Sequence, residues 1–153
     1  MPISATGSSE SGFTLVELMV AMVIIGIASA ALVMALPSPQ AALGHEADSL
    51  AARLVMARDG AISEGADVGM QIDAGGHELV RRAGAGWAPL ADSALSRRPW
   101  HDGITASIEV TGGPPLVFDS TGLASPARIV LKMGDKQREI TVDAAGGVHV
   151  GAS

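Results

Sequence analysis

No cysteine occurs among the 153 residues. That excludes disulfides, thiolate metal sites and a cysteine nucleophile, but it leaves an oxidising compartment open. Aromatic residues are nearly absent: Phe13, Trp87, Trp100 and Phe118 are the whole set. A soluble core must therefore be built from Val, Ile, Leu, Met and Ala. Positive charge is scarce too. Ten Lys and Arg stand against 16 Asp and Glu, a net charge of −6, which does not suggest nucleic acid or anionic lipid as a partner. Residues 1–12 contain no Lys or Arg, and Glu10 is acidic, so the positive-inside rule supports no orientation for the apolar segment behind them.

Charge is missing altogether from Leu18 to Leu36. This run is long enough to cross a bilayer as a helix, which takes about 20 residues. Pro37 bounds it, and Glu17 stands at its head. A carboxylate at the bilayer centre costs about 2.5–3.5 kcal/mol on insertion scales, and less toward the interface. Glu17 either lies among the headgroups or has a partner. The run also admits a competing reading as a secretory signal peptide, because Ala28-Ser29-Ala30 fits a small-x-small cleavage pattern. Behind such a signal the chain would be a secreted hydrolase, yet it shows no nucleophile elbow and no phosphate loop.

Gly12-Phe13-Thr14-Leu15-Val16-Glu17 followed by this apolar run resembles the class III signal of type IV pilins and type II secretion pseudopilins. The resemblance implies cleavage after Gly12 by a prepilin peptidase, N-methylation of the new amino-terminal Phe13 by the same enzyme, and a role for Glu17 in bringing subunits into register. The physics agrees. Among parallel apolar helices, a free α-amine and a carboxylate are each poorly solvated, and pairing Glu17 with the Phe13 amine of a neighbour neutralises both.

Beyond the run, Leu36-Pro37-Ser38-Pro39 should break the chain, since the residue before proline avoids the α region. Ser38 can cap a new helix with Pro39 in its first turn. Leu43, Ala47, Leu50, Leu54, Ala57 and Ala61 then recur every three or four residues, with Glu46, Asp48, Arg53 and Asp59 off the stripe. This predicts an amphipathic helix to about Glu64, stopped by Gly65. After Gly65 the period becomes two. Val68, Met70 and Ile72 alternate, and His77–Ala83 reads as the return strand of a hairpin. Trp87–Leu90 is a short strand, and 91–103 reads as loop around Arg97-Arg98-Pro99-Trp100. Strands follow at Ile104–Val110 and Leu116–Phe118, then a turn at Asp119–Gly122. A hairpin carries Ile129, Leu131, Met133, Ile140 and Val142, with Gly134-Asp135-Lys136 at its tip. Val148-His149-Val150 closes the chain after Gly146-Gly147.

The segment Phe118-Asp119-Ser120-Thr121-Gly122, the hairpin, and Gly146-Gly147-Val148 are similar to the carboxy-terminal half of the H-type minor pseudopilins and the related FimT-like minor pilins. The expected fold class is α+β and pilin-like: a long hydrophobic helix continuing into an amphipathic helix packed on antiparallel β-sheet. The expected organisation is a leader at 1–12, a transmembrane and filament-core helix at 13–36, an amphipathic helix at 37–65 and a periplasmic β-rich domain at 66–153. The resemblance implies a non-enzymatic subunit near the tip of the periplasmic pseudopilus. It would be anchored by a single pass in the cell inner membrane through residues 13–36. Its partners would be the prepilin peptidase/methyltransferase, the other minor and major pseudopilins and the inner-membrane secretion platform. The alternative is a FimT-like type IV minor pilin in pilus assembly or DNA uptake, for which Arg81-Arg82 and Arg97-Arg98 are the basic doublets to inspect. No cofactor or metal is expected: His45, His77, His101 and His149 show no ligand spacing, and the acidic turns lack the EF-hand order.

Overall fold

In the computed structural model, residues 14–35, 38–90 and 96–151 are described. The chain divides into two units, Met1–Pro37 and Ser38–Ser153. In the first, helix α1 spans Leu15–Ala35, 21 residues. At about 1.5 Å per residue its length is about 31 Å, close to the hydrocarbon thickness of about 30 Å. Its large apolar side chains from Leu15 to Leu32 are between 51% and 75% exposed. They point in all directions rather than to one face, the pattern of a helix whose surroundings are apolar on every side.

The second unit opens with α2, Pro39–Glu64. The Ser38 hydroxyl accepts the Ala41 N–H at 3.2 Å, and Pro39 supplies a fixed φ where no amide partner is needed. Gly65 ends the helix at φ +64°, and the Ala66 N–H reaches back to the Ala61 carbonyl at 3.2 Å. Both caps lie where the sequence puts them. All six residues of the apolar stripe are buried; each buried leucine contributes about 1.5–3 kcal/mol. Arg53 departs from the expectation, for it is 5% exposed. Its stem lies along the flank of α2, and its guanidinium Nη2 donates to the Ser96 carbonyl at 3.0 Å. A long basic side chain can bury its methylenes this way while its head finds a carbonyl.

Nine strands are found among the described residues, in two antiparallel sheets. The first contains β1 (Val68–Asp73), β2 (Gly76–Ala83), β3 (Gly86–Pro89), β4 (Arg98–Pro99) and β6 (Leu116–Phe118). Its order is β3-β2-β1-β6, with β4 also paired to β2. The second runs β5 (Thr105–Val110), β7 (Ala127–Met133), β8 (Lys136–Val142) and β9 (Val148–Gly151) in that order. The two-residue connection Gly134-Asp135 sets the β7–β8 register, with Met133 opposite Lys136. The α2 stripe, Met70, Ile72, Leu79, Leu116 and Phe118 of the first sheet, and Ile129, Leu131, Ile140 and Val142 of the second form one core.

Two details correct the reading from sequence. The stretch taken as loop holds β4, and Trp100 behind it is only 8% exposed. The strand expected from Ile104 begins at Thr105; Ile104 precedes it as a buried core residue, while Ala106, Ile108 and Val110 are half-buried.

Candidate functional site

The amino-terminal end of α1 is where chemistry concentrates. Gly12 and Phe13 lie outside the described residues. Thr14 is not helical, and α1 begins at Leu15. The Thr14 hydroxyl accepts the Glu17 N–H at 3.2 Å, and its carbonyl accepts the Leu18 N–H at 3.2 Å. Thr14 is thus an N-cap. Thr14-x-x-Glu17 has the sequence of a capping box, with the carboxylate in the first turn where the helix dipole favours it. The sequence carried this signal, but the reading of Glu17 as an assembly residue passed over the role of Thr14. Helix α1 itself carries no cation to pair with Glu17, which is exposed. From Leu18 onward α1 carries no ionisable side chain. An exposed carboxylate at the head of a wholly apolar helix can stay at a membrane interface or meet a cation from another chain.

Three of the four arginines in the basic doublets are engaged within the fold. Arg82 lies 4.7 Å from the Trp87 ring centroid and 3.8 Å from Asp67. Arg97 pairs with Asp73 and, at 3.4 Å, with Glu78. Arg98 donates to the Ser49 hydroxyl at 3.3 Å. Arg81 is exposed on β2. Arg97 and Arg98 act on His77 together with Arg53, at the start of β2, whereas Arg81 and Arg82 lie near its end.

The histidines fall on separate elements. His45 is exposed on α2. His77 is fully buried on β2. His101 precedes β5, and His149 on β9 lies 3.2 Å from the Asp143 carboxylate. Among the described residues they do not converge with Asp or Glu into a metal-binding group.

Two turns built alike meet under α2. In Asp119–Gly122 the Asp119 carboxylate accepts the Thr121 hydroxyl at 2.6 Å and the Thr121 and Leu123 N–H groups at 2.8 and 3.1 Å. The hydroxyl bond first, then the amide bonds, hold its carboxyl below the usual range. In Asp143–Gly146 the Asp143 carboxylate accepts the Gly147 N–H at 2.9 Å. Arg58 of α2 bridges them. Its Nε donates to the Gly122 carbonyl at 3.3 Å and lies against Gly146. Gly122 and Gly146 have φ of +84° and +80°. A Cβ at either would meet Arg58, so both turns require glycine twice over.

Comparison with known proteins gives two family matches. The family of the type II transport protein GspH matches residues 46–146, and the prokaryotic N-terminal methylation motif matches residues 7–33. The type II secretion system protein H of Pseudomonas aeruginosa is 31% identical over 118 residues, covering 74% of this chain and 67% of that protein. The crystal structure of the minor pseudopilin EpsH of Vibrio cholerae superposes with a TM-score of 0.64 at 18% identity, covering 75% of this chain and 99% of that one. The type IV minor pilin FimU of Pseudomonas aeruginosa does so with a TM-score of 0.59 at 19% identity, covering 72% and 88%. At these identities the two structures speak for the fold.

Proposed function

This chain belongs to the family of the type II transport protein GspH, and from that premise we propose how it works as a minor pseudopilin of type II secretion. A prepilin peptidase removes residues 1–12 by cutting after Gly12, and Phe13 becomes the N-methylated amino terminus. Residues 13–36 anchor the precursor in the inner membrane as a single pass. They leave the bilayer to become the helical core of a pseudopilus, near its tip. Residues 37–65 and 66–153 face the periplasm. The partners are the peptidase/methyltransferase, the other pseudopilins and the inner-membrane secretion platform.

The observation that carries this reading is α1 itself. It is one membrane thickness long, apolar on every face, and has a single ionisable group, Glu17, in its first turn. Within a bundle of such helices Glu17 is stable only if paired. A neighbour's Phe13 amine is the cation the processed family motif supplies. Requiring that pair selects one axial offset between subunits, because a shift along the helix leaves both charges unmatched. Chemistry by the chain itself has no role here; the chain is a substrate of the peptidase and a structural part of a filament. Export of secreted proteins to the medium, measured in a strain lacking the gene and complemented with the chain, tests the assignment. Restored export is expected, and export that never depended on the chain would contradict it.

The second reading is a FimT-like type IV minor pilin in pilus assembly or DNA uptake; the FimU likeness speaks only for the shared fold. The engagement of Arg82, Arg97 and Arg98 within the fold weighs against that second reading. A gel shift of residues 40–153 with duplex DNA at moderate salt separates the two; binding that persists would favour the pilin reading.

A further inference from the structure

Residues 96–104 form a strap across the first sheet and the flank of α2. Arg53 of α2 holds the Ser96 carbonyl, and Ser49 of α2 accepts from Arg98. The backbone of β4 pairs with the start of β2, placing Pro99 opposite Gly76 and Arg98 opposite His77. The Trp100 indole N–H donates to the Asp73 carbonyl at 2.8 Å. Under the strap, at its centre, lies the His77 ring. Its centroid is 4.8 Å from the Trp100 ring, and the residue is fully buried. Among the described residues neither of its ring nitrogens has a hydrogen-bond partner. A neutral imidazole in that position is tolerable; an imidazolium would bury an unsolvated charge.

The positive charges acting on His77 come from α2 and from the strap. Arg53 reaches it from α2, and Arg97 and Arg98 from the strap. Of the described carboxylates on the sheet beside it, Asp73 at the end of β1 and Glu78 on β2 are both taken by Arg97, while Glu46 of α2 and Asp102 border Arg98 and Trp100 at the surface. A proton on His77 would thus meet the repulsion of three guanidiniums, with the two sheet carboxylates already paired to Arg97. We infer that His77 is an acid-sensitive latch, whose protonation releases the strap from the sheet and from α2.

Release would uncover the Gly76–His77 edge of β2 and the Trp100 indole while the rest of the core stays intact. The strap itself is held by hydrogen bonds, the ion pairs of Arg97 with Asp73 and Glu78, and one aromatic contact; of its residues, Trp100 and Ile104 alone join the buried core. The sign is fixed by linkage. Burial, then the three arginines, pushes the folded His77 from its ordinary 6.5 down to about 4. The closed strap is therefore favoured at neutral pH, and its advantage falls as pH drops below about 6.5, until the folded group itself titrates. With those two values the ratio of open to closed strap rises roughly 25- to 30-fold between pH 7.5 and 5. The Asp73 carboxyl, held below the usual range mainly by its bond from Arg97, stays ionised between these two pH values, so Asp73 is not the group that changes.

The test is hydrogen exchange of the full chain in detergent micelles at pH 7.5 and 5, corrected for intrinsic exchange. Peptides from residues 96–104 are compared with the β7–β8 hairpin. Protection of the strap is expected to fall roughly 25-fold at pH 5 while the hairpin is unchanged. His77→Phe keeps a ring against Trp100 and cannot take a proton, so it should remove the difference. An equal loss of protection in His77→Phe, or a loss shared by the hairpin, would overturn the latch. Should that variant fail to fold, the ring nitrogen shifts of His77 in the parent chain decide. A ring neutral down to pH 5 is expected, and one titrating at its ordinary 6.5 with the strap still protected would overturn the proposal.

Discussion

Gly146→Ala should be strongly damaging to the β-rich unit, and its size can be worked from neighbouring atoms. At φ +80° a Cβ is disfavoured by about 1–2 kcal/mol whatever surrounds it. Here the methyl would also collide with the Gly122 carbonyl oxygen and come within 2.9 Å of the Arg58 Nε. Backbone cannot swing aside as a side-chain end can. The two turns would separate, losing the Arg58 bond to Gly122 and the Ala124 N–H bond to the Ala144 carbonyl, each worth about 1 kcal/mol. The sum is about 3–4 kcal/mol, or roughly 12–16 °C in Tm at about 4 °C per kcal/mol for a domain of this size. Gly134→Ala is the matched control. Its φ is +59° and nothing lies within 4 Å of the added methyl, so only the conformational part remains, about 1–2 kcal/mol. Thermal melts followed by tryptophan fluorescence, which reports the β-rich unit through Trp87 and Trp100, compare the two. Equal shifts for both variants would refute the claim that the Asp119 and Asp143 turns are packed together beneath Arg58.

Glu17→Ala should leave leader removal intact, because the residue lies beyond the scissile bond, but should lower pseudopilus assembly and export; normal export would remove the pairing role. Phe118→Ala, at a fully buried aromatic shared by β6 and the core, should cost about 3–5 kcal/mol in denaturant unfolding; a cost below about 1 kcal/mol would mean the site collapses freely or is not core. Asp119 is held below its ordinary value of 3.8, first by the Thr121 hydroxyl. Its contribution is therefore present above about pH 4 and lost as pH falls through the folded value. Asp119→Ala should flatten the acid limb of the stability curve, and an unchanged limb would place the acid sensitivity elsewhere.

How much of this was legible beforehand depends on the range of each interaction. The α2 stripe, its Ser38 and Gly65 caps and the strand alternations are local patterns, and they appear in the structure almost residue for residue. Arg53 was misjudged because a helical wheel cannot know that a strap will cross its flank. For the same reason Arg98-Pro99 read as loop: two residues give no period, and the pairing partner, Gly76-His77, lies far back in sequence. Both turns were recognisable from Asp and Gly, yet their meeting under Arg58 is a tertiary fact. At the amino terminus the reverse holds. Glu17 stood out because charge is absent around it, whereas the Thr14 cap was overlooked beside that signal.

The central claim is that this chain is cut after Gly12 and assembles through its new amino terminus. Intact mass of the membrane-extracted protein, with amino-terminal fragmentation, tests it most directly. A chain starting at Phe13 and carrying one added methyl is the predicted result. A chain starting near Leu32 would mean an ordinary signal peptide, and it would contradict both the filament-core role of α1 and the pairing role of Glu17.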